Sequence, residues 1–187
     1  DEQPEDNDTS IEFVVQSDGE DLVFFQDYFD PLNYRYQIET FRFYLTKVTF
    51  INDQNESFLF KDVSFLKFRD GQSSAPIIPQ EITDKLPSGN YKKLSFNLGV
   101  DAERNNQDPA QYDRDHPLSI YKGMHWDWNT GYIFFKMEGR VDSMPGGNGS
   151  LSNSILYHLG MNELLQEVEL DIDLELDENQ SEALKIG

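Results

Sequence analysis

The chain contains no cysteine, so it has no disulfides, no thiolate zinc site and no cysteine nucleophile. Any metal would have to be held by histidine, methionine, carboxylate or backbone oxygen. Histidine itself is scarce, at 3 in 187 residues, and tryptophan more so, at 2. No apolar run approaches the roughly 20 residues a membrane-spanning helix needs. Basic residues are few: 15 Lys and Arg stand against 35 Asp and Glu, for a formal net charge of −20. A field of that sign repels nucleic-acid backbones and anionic lipid surfaces and attracts cations or basic partners. It also keeps a surface protein soluble, so charge alone names no ligand. Catalytic signatures are missing too. There is no Gly-X-Ser-X-Gly, no His-Glu-X-X-His and no phosphate-cradling loop ahead of a helix. The glycine-rich stretch from Met144 to Gly149 lies between strand-like segments and lacks the helix that would complete an anion site. Carboxylates are plentiful, but none is singled out as a glycosidase acid or base. The reading is a binding protein and not an enzyme.

What the chain does have is aromatic residues. With 14 Phe and 9 Tyr, flat side chains suited to a pleated surface dominate. Segments 11–16 and 22–26, split by Ser17-Asp18-Gly19, predict an opening hairpin. Residues 34–51 alternate around Phe41, Phe43, Leu45 and Val48, then turn at Asn52 to Asn55 into strands at 57–61 and 63–68. Residues 70–79 form a loop. Residues 91–100 place Leu94, Phe96 and Leu98 on one face. Residues 101–122 have no period and predict a long functional loop, followed by strands over 132–138 and 155–159. Asn162 to Gln166 fits one helical turn. From Val168 to Asp177 apolar and acidic residues alternate strictly, the pattern of a strand with an acidic solvent face. The class is all-β: an antiparallel β-sandwich of about eight or more strands, immunoglobulin-like or jelly-roll-like, with long functional loops. One domain spans 11–178, with an acidic tether at 1–10 and a tail at 179–187. A chain starting at Asp1 without Met suggests an export signal removed upstream, with a lipid anchor.

The informative region runs from Phe96 to Leu159. It holds Gly99-Val100-Asp101 after a strand, Asn105 and Asp108-Pro109, then Met124-His125-Trp126-Asp127-Trp128, Gly131-Tyr132 and Glu138-Gly139, and finally Tyr157-His158-Leu159-Gly160. With Phe41 to Thr46 earlier, these pieces resemble the MbnP-like family, named for a periplasmic copper-binding protein associated with methanobactin uptake. The resemblance covers nearly the whole domain. It implies one copper ion bound through histidines, in some members beside a tryptophan oxidised to kynurenine by a partner dihaem enzyme. Carried over, Trp126 or Trp128 is the oxidisable position. His158 with His116 or His125 supplies imidazole, and Met124 is a soft thioether suited to Cu(I). The implied location is the periplasm or cell surface. One departure stands out: the copper-binding pattern carries Asn-His where this chain has Asn105-Asn106, a form more like variants of Bacteroidetes-type surface proteins.

Each candidate also has a structural reading. His158 within an apolar strand fits a hydrogen-bonded core residue. His125 alternates with Met124 and Trp126, so in an extended segment it points away from the tryptophan face. His116 fits a solvated loop position, and Trp126 and Trp128 fit core packing. Asp101, Asn105, Asp108 and Asp113 carry the oxygen ligands calcium prefers, though their spacing matches no EF-hand. The alternative function is therefore a metal-free or calcium-ordered surface module, binding a partner or carbohydrate through the loops at 101–122 and 144–154.

Overall fold

The structure is a computed structural model that describes residues 6–68, 75–76, 80–126, 131–177 and 182–187. In chain order its strands are β1 (Asp6–Phe13), β2 (Gln16–Ser17), β3 (Glu20–Asp21), β4 (Val23–Phe24), β5 (Tyr28–Phe29), β6 (Arg35–Asn52) and β7 (Ser57–Lys67). They continue with β8 (Ala75–Pro76), β9 (Gln80–Pro87), β10 (Gly89–Leu98), β11 (Phe135–Val141), β12 (Asn153–Leu159), β13 (Gln166–Leu176) and β14 (Glu182–Ile186). Among the described residues, one short helix, α1 (Ala102–Asn105), and three 3-10 turns complete the elements.

Two sheets face each other. The smaller has the order β14-β1-β9; the larger runs β12-β11-β6-β10-β13, with β5 and β7 also paired to β6. The fold is an all-β sandwich. All pairings are antiparallel except β1 with β14, which run parallel. Strand β6 has 18 residues and changes partner along its length. Its first half pairs with β11 and its second half with β10. The handover is at Tyr44, whose N–H donates to Phe134 O (3.0 Å) and whose carbonyl accepts from Gly99 N–H (2.9 Å).

Alternation divides the large sheet into two faces. Leu45, Leu66, Leu94 and Phe96 turn inward to meet Ile11, Phe13, Ile82 and Leu86 of the small sheet, forming the main core. Tyr44 and Phe134 turn outward, where Val100, Leu118, Met124, Tyr132 and Ile133 bury them in a second core. The described residues of 101–126 and 131–134 are therefore a packed layer on the outer face and not a free loop.

Several boundaries differ from the sequence reading. Strand β1 begins at Asp6, inside the stretch read as a tether, because Asn7, Thr9, Ile11 and Phe13 alternate inward and are all buried. Strand β14 lies in the stretch read as a tail and pairs with Thr9 to Phe13. The opening hairpin is reduced to β2 and β3, since residues 9–13 take their partners from β9 and β14. The strands read at 57–61 and 63–68 are one, β7. Residues 132–134 precede β11 because they bend to bury Tyr132, Ile133 and Phe134 in the second core. Most of the loop read at 70–79 lies outside the described residues.

Candidate functional site

The outer layer starts where β10 ends. Asp101 caps α1, accepting from Arg104 N–H (3.2 Å), and pairs with the Arg104 guanidinium at 2.6 Å. Arg104 also reaches Asp62 on β7 (2.6 Å), which ties the helix to the sheet. Asn105 is buried. Its Oδ1 accepts from Tyr132 N–H (2.7 Å) and its Nδ2 donates to Asn162 Oδ1 (2.8 Å). Asp108 caps the next turn by accepting from Ala110 N–H (2.9 Å). The main-chain carbonyl of Asp113 accepts from His116 N–H (3.0 Å). Asp101, Asn105 and Asp108, read as calcium ligands, thus direct side-chain oxygens at backbone N–H groups.

Two buried phenols support the layer. Tyr44 donates to Pro117 O (3.1 Å) and Tyr132 to Leu118 O (2.8 Å). Burial pushes both well above the ordinary tyrosine range, so both stay protonated donors. His116 stacks on Tyr112 at 4.2 Å between ring centroids. Its Nδ1 accepts from Leu118 N–H (3.1 Å), which leaves Nε2 protonated in the neutral ring. Burial, followed by the charge of Arg104, holds its pKa below the usual histidine value.

His125 forms an isolated bridge with Tyr132. With Asn105, Asn106, Gln107, Asp108, Pro109 and Gly131 it lines a pocket of about 260 Å³. Its Nδ1 lies 3.0 Å from Trp126 O, and its Nε2 accepts from Gly131 N–H at 3.3 Å. Met124 is fully buried in the second core, and Trp126 packs against the same core. His125 thus leaves the core between two residues that join it, as their alternation requires. Trp126 also lies against Gly160, where a Cβ would overlap the Tyr132 carbonyl oxygen and crowd the indole. Trp128 lies outside the described residues.

His158 is not a core residue. Strand β12 is an edge strand with mostly exposed side chains. The His158 ring meets Glu138 Oε1 through Nε2 at 2.8 Å, and Lys136 meets the same oxygen at 3.0 Å. Burial would raise the Glu138 carboxyl, but the bonds from Lys136 and His158 outweigh it and hold the group below its ordinary range. An ammonium sharing a carboxylate with this imidazole opposes a cation there.

The three histidines therefore sit in three different settings. Among the described residues, no group of three or more His, Cys, Asp or Glu is placed to hold a metal ion. The residues that share a pocket with the His125 imidazole are Asn106, Gln107 and Asp108, of which Gln107 Oε1 already accepts from Gln111 Nε2 and the Tyr112 hydroxyl and Asp108 Oδ1 from Ala110 N–H. Sequence reasoning missed Asn106 and Gln107 as pocket residues, although the Asn-His departure had marked position 106.

Comparisons with known proteins agree with this architecture. The family model of MbnP matches residues 6–187. Among solved structures, MbnP from Methylosinus trichosporium superposes with a TM-score of 0.65 at 14% identity, covering 92% of this chain and 73% of that one. No curated protein matches the sequence.

Proposed function

The chain belongs to the MbnP family, and from that premise we propose that it is an exported envelope protein that binds copper at His125 and does not turn over a substrate. The observation that carries this reading is the pocket itself: position 106, where the copper-binding pattern has histidine, faces the same cavity as His125. In this chain Asn106 replaces an imidazole with an amide. Nitrogen and oxygen donors suit Cu(II) better than Cu(I), and Met124 is buried in the core, away from such a role. Bound copper would act as cargo. His125 would give up the Gly131 N–H to bind it, with Asp108 supplying negative charge.

Copper titration followed by electron paramagnetic resonance tests the assignment. His125→Ala is expected to lose the copper signal, while His158→Ala and His116→Ala retain it. Asn106→His is expected to tighten binding by about tenfold or more, because it adds a second imidazole to the same cavity. Unchanged copper stoichiometry in His125→Ala would overturn the site. Oxidation by a dihaem partner would appear as a mass gain at Trp126 or Trp128 in protein taken from its native compartment.

A second reading, a surface interaction module, is favoured by one observation. Leu156, Tyr157, Leu159, Met161 and Leu164 are all exposed, within nine residues along and just beyond the unpaired edge of β12. Among the described residues no strand pairs with the outer side of β12, and such a stripe suits addition of a partner strand.

A further inference from the structure

A row of side chains across the large sheet runs against the charge of the molecule. In register, His158 of β12 lies opposite Lys136 of β11, Lys136 opposite Arg42 of β6, and Arg42 opposite Lys67 of β7. Their inward-facing neighbours Phe41, Phe43 and Met137 pack on the main core, so alternation turns the whole row to the outer face. Like charges directly opposite one another destabilise a sheet. Here the row persists in a chain with 35 carboxylates to draw on.

Glu138 compensates one end of the row, through Lys136 and His158. Among the described residues, no such partner serves Arg42. Arg35, Arg104 and Arg140 each pair with carboxylates, to Asp27, to Asp101 and Asp62, and to Glu39 respectively. Arg42 has a buried Nε with no hydrogen-bond partner among the described residues, while the residue as a whole is only half-buried. A buried donor without an acceptor destabilises the free protein. A planar guanidinium between two ammonium groups matches the paired oxygens of a carboxylate or phosphate.

We infer that Arg42, flanked by Lys136 and Lys67, is a binding site for an oxyanion. The ligand accepts from the terminal N–H groups of Arg42, and its charge offsets that of the guanidinium. The site does not involve the His125 pocket and does not depend on copper.

Thermal unfolding of the full chain tests this in a buffer free of multivalent anions, with inorganic phosphate and citrate added separately and sodium chloride as the control at matched ionic strength. Excluded salts raise midpoints without binding, so the comparison with Arg42→Met decides. The expected result is a saturable rise beyond the chloride control with at least one anion, lost in Arg42→Met. That variant should also unfold at a higher temperature than the wild type when no anion is present, since it removes the unpaired charge and keeps the apolar stem. A response to phosphate alone assigns a phosphoryl ligand, and a response to citrate assigns a carboxylate. A rise no larger than that from chloride, or one kept in Arg42→Met, overturns the inference. Should the variant fail to fold, the Arg42 Nε–H resonance of the wild type is followed through the same titrations: a saturable shift is expected, and its absence overturns the site.

Discussion

Asn105 shows how much of the site depends on single side chains. It stands among acidic residues in a segment without periodicity, and by residue type alone it resembles a calcium ligand. Its amide instead bridges the backbone of Tyr132 to Asn162, residues 27 and 57 positions away. This joins α1 to the segments around Tyr132 and Asn162. Asn105→Ala leaves the Tyr132 N–H buried without an acceptor, which costs about 1–3 kcal/mol. Urea unfolding should show an unfolding free energy lowered by that amount, read as a lower midpoint with an unchanged slope. Ala102, exposed on the same helix, is the control, and Ala102→Ser should shift stability little. Nothing in the local sequence distinguishes these outcomes, because the acceptor role of Asn105 is defined only by what lies across the layer.

At the scale of elements, strands whose two faces differ were readable and those defined by their partners were not. Strand β13 alternates Val168, Leu170, Ile172, Leu174 and Leu176 with acidic residues, and it pairs with β10 as such a strand should. Its carboxylates meet cations of β10, Glu169 with Lys93 at 2.6 Å and Asp173 with Lys92. The ends of the chain misled because Asn7 and Thr9 are polar yet buried, so β1 does not announce its inward face. Strand β14 covers that strand through parallel pairing of Thr9 to Phe13. Deleting residues 182–187 removes Leu184 and Ile186 from the main core, where both are packed. On the order of 3 kcal/mol of apolar burial is lost. Calorimetry should show a lower melting temperature, and hydrogen exchange should show β1 losing protection ahead of β6.

Across the whole molecule, a charge of −20 repels itself in the compact state. Screening shortens to roughly 10 Å at 0.1 M salt, so monovalent salt should stabilise the fold. The melting temperature is expected to rise by a few degrees between 10 mM and 300 mM sodium chloride. A fall over that range would mean that the exposed pairs Lys61–Asp84 and Lys93–Glu169 contribute more than the overall repulsion. Charge is uneven between the two edges of the large sheet. Strand β13 carries carboxylates along its outer face, whereas β12 has none and exposes Leu156, Tyr157 and Leu159. Edges without charge accept new strands more readily, so of these two edges β12 is the one better suited to strand addition.

Composition and periodicity alone determined the all-β class, the β6–β7 hairpin across Asn52 to Asn55 and the acidic strand near the end, because each depends on the alternation of neighbouring side chains. The ordered fragments around Asp101, Met124 to Trp128 and Tyr157 to Gly160 pointed to the family before any fold was known. The tertiary structure decided the rest. It placed His116, His125 and His158 in separate settings and buried Met124. It set Asn106 in the same pocket as His125, and it aligned four basic residues from four strands in one row. Those relations depend on register and on which face of the sheet each residue occupies, and residues up to 116 positions apart carry no mark of either in the chain.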